Sequence, residues 1–346
     1  MNRKGVSYDV GRVLGVAWRP HLGRRLVHRE LQIIRDDLHC NAVRICGVDI
    51  ARLTMASEEA LEQGLEVWLS PELWDKDPRA TLEHVVAAAR AAEPLRRRWP
   101  ERLVLSVGSE LTLFMRGIVE GRSFVKRLGN PSLKQTVEAG RHNEPLNAFL
   151  AQAVAAVRQV FGGPVTYASL PWETVDWSLF DLVGIDHYRD PRIRDRYVEM
   201  LQPLFGSGKP VVITEFGCRT YQGALDPGAM GREITDGRTL FFHQLPVVGR
   251  FVRPRLNGNY VRDEELPARE LIESLGILDQ AGVDGAFVMT FVSPIATYDQ
   301  NPRYDLDMAG FSLVKSFAGD RKGTTYPDMP WEPKASFRAV AAYFAR

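Results

Sequence analysis

Short apolar runs rich in β-branched residues recur along the chain, each bounded by turn residues and followed by a longer stretch with helical spacing. Arg12–Ala17 reads as a first strand, followed by a helix from Arg25 to Leu38 with apolar positions at Leu26, Leu31, Ile34 and Leu38. Asn41–Cys46 reads as the second strand, with a helix from Ile50 to Gln63, and Leu65–Ser70 as the third, with an Ala-rich helix from Pro78 to Arg97. Leu103–Gly108 is the expected fourth strand, with its helix at Pro145–Phe161. Pro164–Ala168 is the fifth, with a helical turn around Val175–Leu179. Leu182–Asp186, Pro210–Thr214 and Gly285–Thr290 complete the series, with helices expected at Arg192–Leu204, Ala268–Ala281 and Lys334–Phe344.

Strands apolar on both faces and alternating with helices imply a parallel sheet covered on both sides. Eight such units point to an α/β fold of the (β/α)₈ TIM-barrel type, one domain over residues 1–346, rather than an open doubly wound sheet. A dinucleotide-binding sheet would carry G-x-G-x-x-G after its first strand, where this reading places Ala17-Trp18-Arg19-Pro20. Long segments follow strand four (114–143), strand seven (218–267) and strand eight (293–333). All leave carboxyl ends of strands, the face on which barrel enzymes build their sites.

Composition narrows the partners. The 346 residues carry 44 basic and 43 acidic side chains, a formal charge of +1, with 45% hydrophobic residues. That balance leaves no electrostatic footprint for nucleic acid and excludes a disordered chain. It carries no bias toward a polyanionic partner. Cys40, Cys46 and Cys218 are too few and too scattered for a disulfide framework or a zinc ribbon. No H-E-x-x-H, P-loop or nucleophile-elbow pattern occurs, so neither metal nor cofactor is expected. No stretch has the apolar length of a membrane span, and Met1–Asp9 has basic residues without an apolar run behind them. A soluble cytoplasmic protein is expected, or a secreted one if a leader has been removed.

Two glutamates stand out by position. Glu110 ends the fourth strand in Val107-Gly108-Ser109-Glu110, and Glu215 ends the seventh in Val212-Ile213-Thr214-Glu215-Phe216-Gly217. A charged residue directly after an apolar strand points into the barrel mouth if it continues the inward alternation. Strands four and seven lie on opposite sides of a barrel, so the two carboxyls can flank one substrate bond. Glycoside hydrolysis requires such a pair, one protonating the leaving oxygen while the other attacks or activates water.

These paired signatures resemble glycoside hydrolase clan A, the retaining TIM-barrel enzymes, with mannanase- and xylanase-type members nearest in size. The resemblance implies that Glu110 is the acid/base and Glu215 the nucleophile. Arg44, on the second strand, resembles the clan arginine beside the nucleophile, where a cation would hold Glu215 ionised. His187 and Tyr188, ending the sixth strand, resemble the clan's His/Tyr pair, which requires a bulge or strand end there. Glu72, Trp74, Trp172 and Trp18, at strand ends, are further candidates for sugar contact. Two positions depart from the clan pattern: Ser109 stands where Asn is usual, and Phe291 where Trp is usual. These departures leave the sugar open and keep two alternatives in play. One is an inactive carbohydrate-binding or regulatory barrel, the other a transglycosylase using the same residues.

Overall fold

The computed structural model of the chain describes all residues except 14, 15, 18, 20, 21, 190, 227–232, 244 and 246. Eight parallel strands close into a barrel: β1 (Arg3–Asp9), β2 (Ala42–Gly47), β3 (Glu66–Pro71), β4 (Leu103–Ser109), β5 (Val165–Ser169), β6 (Val183–Asp186), β7 (Val211–Phe216) and β8 (Gly285–Val288). Each pairs with its sequence neighbours, and β8 closes on β1 with Arg3 opposite Gly285. The principal covering helices are α1 (Arg24–Asp36), α2 (Ile50–Glu62), α3 (Pro78–Arg98), α4 (Asn143–Arg158), α5 (Glu265–Gln280) and α6 (Ala335–Phe344). Asp49 and Asp77 cap α2 and α3 by accepting the backbone N–H of Arg52 and Ala80, which satisfies donors that a helix start leaves open.

Strand alternation divides the core in two. Ala42, Trp68, Val104, Leu182, Val212 and Phe287 turn inward and plug the lumen. Their neighbours Val43, Ile45, Val67, Leu69 and Leu105 turn outward under the helices. Arg44, Ser70, Thr214 and Asp186 therefore rise above the plug, toward the carboxyl ends of the strands.

The first strand is not where the apolar pattern places it. Arg3–Asp9 forms β1, whereas Arg12–Val13 and Val16–Ala17 make a two-stranded antiparallel ribbon after it. The inward positions of β1 must be small, and a Cβ on Gly5 would lie 2.4 Å from the Phe287 ring. Gly5 and Ser7 consequently dilute the apolar signal that Val6 and Tyr8 carry outward. Trp18 lies outside the described residues. The helix expected at Arg192–Leu204 is replaced by the 3₁₀ turns Arg194–Arg196 and Glu199–Leu201 and a single α turn, Gln202–Phe205. A helix through that segment would need the N–H that Pro203 lacks.

Both segments after β7 and β8 are tied to the start of α6 by buried charges. Lys334, fully buried, donates to Asp307 at 3.1 Å and to Thr220 at 3.2 Å. Arg262 spans Asp305 at 2.9 Å and Asp307 at 2.8 Å. No helix among the described residues is long and apolar enough to cross a membrane.

Candidate active site

The carboxyl ends of β2, β3, β4, β6 and β7 bring one arginine and several carboxyls together. Arg44 is 1% exposed. Its Nη1 donates to Glu215 Oε1 at 2.5 Å, and its Nη2 to Ser70 Oγ at 3.2 Å and Glu72 Oε1 at 3.3 Å. The Tyr188 hydroxyl donates to the other Glu215 oxygen at 3.1 Å. Glu215 is thus held by a cation on one oxygen and a phenol on the other, with its side chain 15% exposed at the mouth.

Glu215 does not reach the lumen by simple alternation. Thr214, its predecessor, already faces inward and donates to Asp186 Oδ1 at 2.5 Å. The β6–β7 register shifts between Ile185 and Asp186, so that Asp186 pairs with Glu215. This irregularity lets two successive residues of β7 serve the same mouth.

Glu110 is set differently. Its backbone is left-handed (φ 47°, ψ 40°), and it caps the single helical turn Leu111–Phe114. That conformation costs a non-glycine residue about 1 kcal/mol or more, and local hydrogen bonds oppose the cost. The Glu110 N–H reaches the Ala168 carbonyl at 2.9 Å. The next two N–H groups, which lack intrahelical acceptors, go to the Tyr167 hydroxyl at 2.8 Å and to Glu173 at 3.2 Å. Tyr167 in turn donates to Glu173 at 3.0 Å, and Glu173 also accepts the Leu170 N–H at 2.8 Å. Gly108 allows this fold-back, because a Cβ there would lie 2.8 Å from the Leu111 side chain.

Electrostatics separate the two glutamates. Burial, reinforced by Asp186, Glu215 and Glu173, pushes the Glu110 carboxyl well above the ordinary range, with Arg44 opposing. Burial also works against charge on Arg44, but Glu215, Asp186 and Glu72 outweigh it and keep the guanidinium protonated. Glu72 is pushed up to about 7 by burial, countered by Arg44 and raised again by Glu215. Burial likewise lifts Asp9, at the end of β1, to about 6. One carboxyl is clamped beside a cation and another is biased toward its protonated form, which is the division of labour that acid-assisted nucleophilic displacement needs.

The remaining candidates divide. Ser109, 5% exposed, directs its hydroxyl down to Asp186 at 3.2 Å rather than into the mouth. Trp74 stacks on Phe114 with ring centroids 3.9 Å apart and anchors the segment after β4. Trp172 packs against the edge of His142 at 5.1 Å. Two expectations need correction. His187 is fully buried, stacks on Tyr197 at 4.2 Å and contacts its carbonyl through Nε2 at 2.9 Å, so it faces the core while its neighbour Tyr188 faces Glu215. The reason is that β6 ends at Asp186, and successive side chains there diverge. Phe291 is also fully buried, packed between the rings of Tyr8 and Trp331. Asp186, Tyr167 and Glu173 escaped the sequence reading. The inward alternation Leu182, Gly184, Asp186 was a usable signal for the first, whereas no local pattern marks the other two.

No family model matches the chain, and no curated protein matches it. Among solved structures, a GH113 β-1,4-mannanase superposes with a TM-score of 0.62 at 13% identity, over 99% of this chain and 98% of that one. The GH113 β-mannanase of Alicyclobacillus acidocaldarius gives 0.60 at 15% identity, over 99% and 97%. A β-glucuronidase from Ruminococcus gnavus gives 0.54 at 13% identity, over 99% of this chain and 49% of that one. At such identities the likeness shows the fold, a barrel shared with glycoside hydrolases of the clan whose signatures the strand ends resemble.

Proposed function

We propose that the chain is a retaining glycoside hydrolase, a single catalytic domain that cleaves an O-glycosidic bond of a glycan or oligosaccharide without metal or cofactor. Glu215 attacks the anomeric carbon as the bond to the leaving oxygen breaks, and Glu110 gives that oxygen its proton. A glycosyl ester on Glu215 results. Glu110, now a carboxylate, then takes a proton from water, whose oxygen attacks the same carbon and frees Glu215. The observation that carries this reading is the asymmetry of the pair. Glu215 is bound by Arg44 and Tyr188, while Glu110 is buried among carboxyls that favour its proton.

Tyr188 and Arg44 orient the attacking carboxylate, and Glu72 stands at hydrogen-bond distance from Arg44. Because mannanases share the fold over nearly their whole length, β-1,4-linked mannosides head the substrates to assay, followed by glucosides, xylosides and glucuronides. Wild-type enzyme and Glu215→Gln should be compared on aryl glycosides and polysaccharides. Turnover by the wild type that Glu215→Gln abolishes is expected. No turnover on any substrate would favour an inactive carbohydrate-binding barrel, and undiminished turnover by the variant would remove Glu215 from the role of nucleophile. Adding acceptor sugars separates hydrolysis from transglycosylation by the products formed.

A further inference from the structure

Asp186 closes β6 and is 1% exposed, yet it enters neither half of the displacement. Its Oδ1 accepts the Thr214 hydroxyl at 2.5 Å, and its Oδ2 accepts the Ser109 hydroxyl at 3.2 Å. Thr214 directly precedes Glu215 on β7, and Ser109 directly precedes Glu110 on β4. These two strands are not neighbours, since β5 and β6 lie between them. Both strands are also irregular at this level: β4 shifts register against β5 between Ser106 and Ser109, and β7 shifts against β6 beside Asp186. Where backbone pairing loosens, one carboxyl therefore bridges the two strand ends across the lumen.

We infer that Asp186 is a positioning residue for both glutamates: it fastens together the strand ends that carry them and sets a second carboxyl beside the strand end that carries Glu110. The inference rests on the proposed roles of Glu110 as acid and Glu215 as nucleophile. The charged groups facing Asp186 are Arg44 from β2, Glu110 from β4 and Glu215 from β7, with the Tyr188 hydroxyl beside them. One cation thus serves these three carboxyls and Glu72 from β3 as well, and it lies against Glu215 at 2.5 Å and Glu72 at 3.3 Å. Buried carboxyls that share one cation cannot all ionise, so protons are retained on the members without it, and their titrations are linked. Burial and Glu215 raise Asp186 itself, and burial and Asp186 raise Glu110. Whichever of the two holds the last proton, a neutral group at position 186 removes the repulsion that makes Glu110 hard to ionise.

Carboxyl ¹³C NMR of glutamate-labelled protein reads this directly and needs no substrate. The Glu110 resonance is identified by its loss in Glu110→Gln. Asp186→Asn keeps the volume and removes the charge, while Ser109→Ala removes one tie and keeps the charge. The Glu110 titration should fall by one pH unit or more in Asp186→Asn and move by no more than a few tenths in Ser109→Ala. In an active enzyme, the basic limb of the kcat profile should fall by the same amount. An unmoved Glu110 titration in Asp186→Asn overturns the inference, whatever the turnover. If that variant does not fold, the wild type decides: a linked Glu110 titrates in two steps, and a single step in the ordinary carboxylate range overturns it. Absence of wild-type turnover refutes the hydrolase reading instead, so the two failures are separate.

Discussion

Replacing Arg44 with Met should destabilise the protein in a way that depends on pH. Methionine keeps an unbranched apolar stem but removes the guanidinium that sits 2.5 Å from Glu215 and 3.3 Å from Glu72, with both carboxyl side chains only 15% and 12% exposed. Breaking a buried ion pair from one side costs about 3–5 kcal/mol, because the abandoned charge stays desolvated. A buried carboxyl can escape that cost only by taking up a proton. Glu72, already lifted to about 7 by burial against the opposing pull of Arg44, rises further without that cation, so between its unfolded and folded values the native state binds more protons and stability falls as pH rises. Each further unit on Glu72 corresponds to about 1.4 kcal/mol. Urea unfolding should therefore show a deficit of about 3–5 kcal/mol at pH 8 that shrinks by about 1.4 kcal/mol or more at pH 4. In a double-mutant cycle, Glu215→Gln should recover much of the pH 8 deficit. A deficit below about 1 kcal/mol, or one that does not vary with pH, would refute the view of Arg44 as the cation that sustains the mouth.

Two further predictions address groups the sequence reading missed or misplaced. Tyr167→Phe deprives the Leu111 N–H of its acceptor and Glu173 of a donor. It should cost about 1–3 kcal/mol in denaturant unfolding and lower kcat with little change in KM, and equal kcat in the two proteins would show that Glu110 holds its left-handed backbone unaided. His187 is pushed down to about 4 by burial, with its contact to the Tyr197 carbonyl opposing. Its folded value is below its unfolded one, so the stability it contributes is present above about pH 6.5 and is lost as pH falls toward 4. His187→Gln can keep a hydrogen bond to that carbonyl without titrating, so the acid-side slope of Tm between pH 6.5 and 4 should flatten; an unchanged slope would rule this histidine out as its source.

The legibility of this chain follows from where its constraints lie. Strands β2 to β5 and the helices α1 to α3 are readable because their apolar spacing is set locally, by a buried sheet on one side and an amphipathic helix on the other. β1 is not, because the closed barrel asks for a small residue at Gly5 against Phe287, and this demand comes from β8, about 280 residues away in sequence. The same holds for His187 and Phe291, whose burial depends on Tyr197 and Trp331.

From the sequence alone came the eightfold alternation, the two glutamates at strand ends four and seven, and Arg44 on strand two. The alternation and the glutamates follow from periodicity and from a charge placed directly after an apolar run, whereas Arg44 was marked by the resemblance to the clan. Only the tertiary structure decided which neighbours those residues meet. It sets Arg44 and Tyr188 on Glu215 and leaves Glu110 among carboxyls. It folds Glu110 back through Tyr167 and Glu173 and hangs both strand ends on Asp186. Those contacts join strands far apart in the chain and depend on register shifts at the mouth. Periodicity reports which face a residue takes, but a one-residue slip in pairing, invisible to composition and spacing, settles what that face touches.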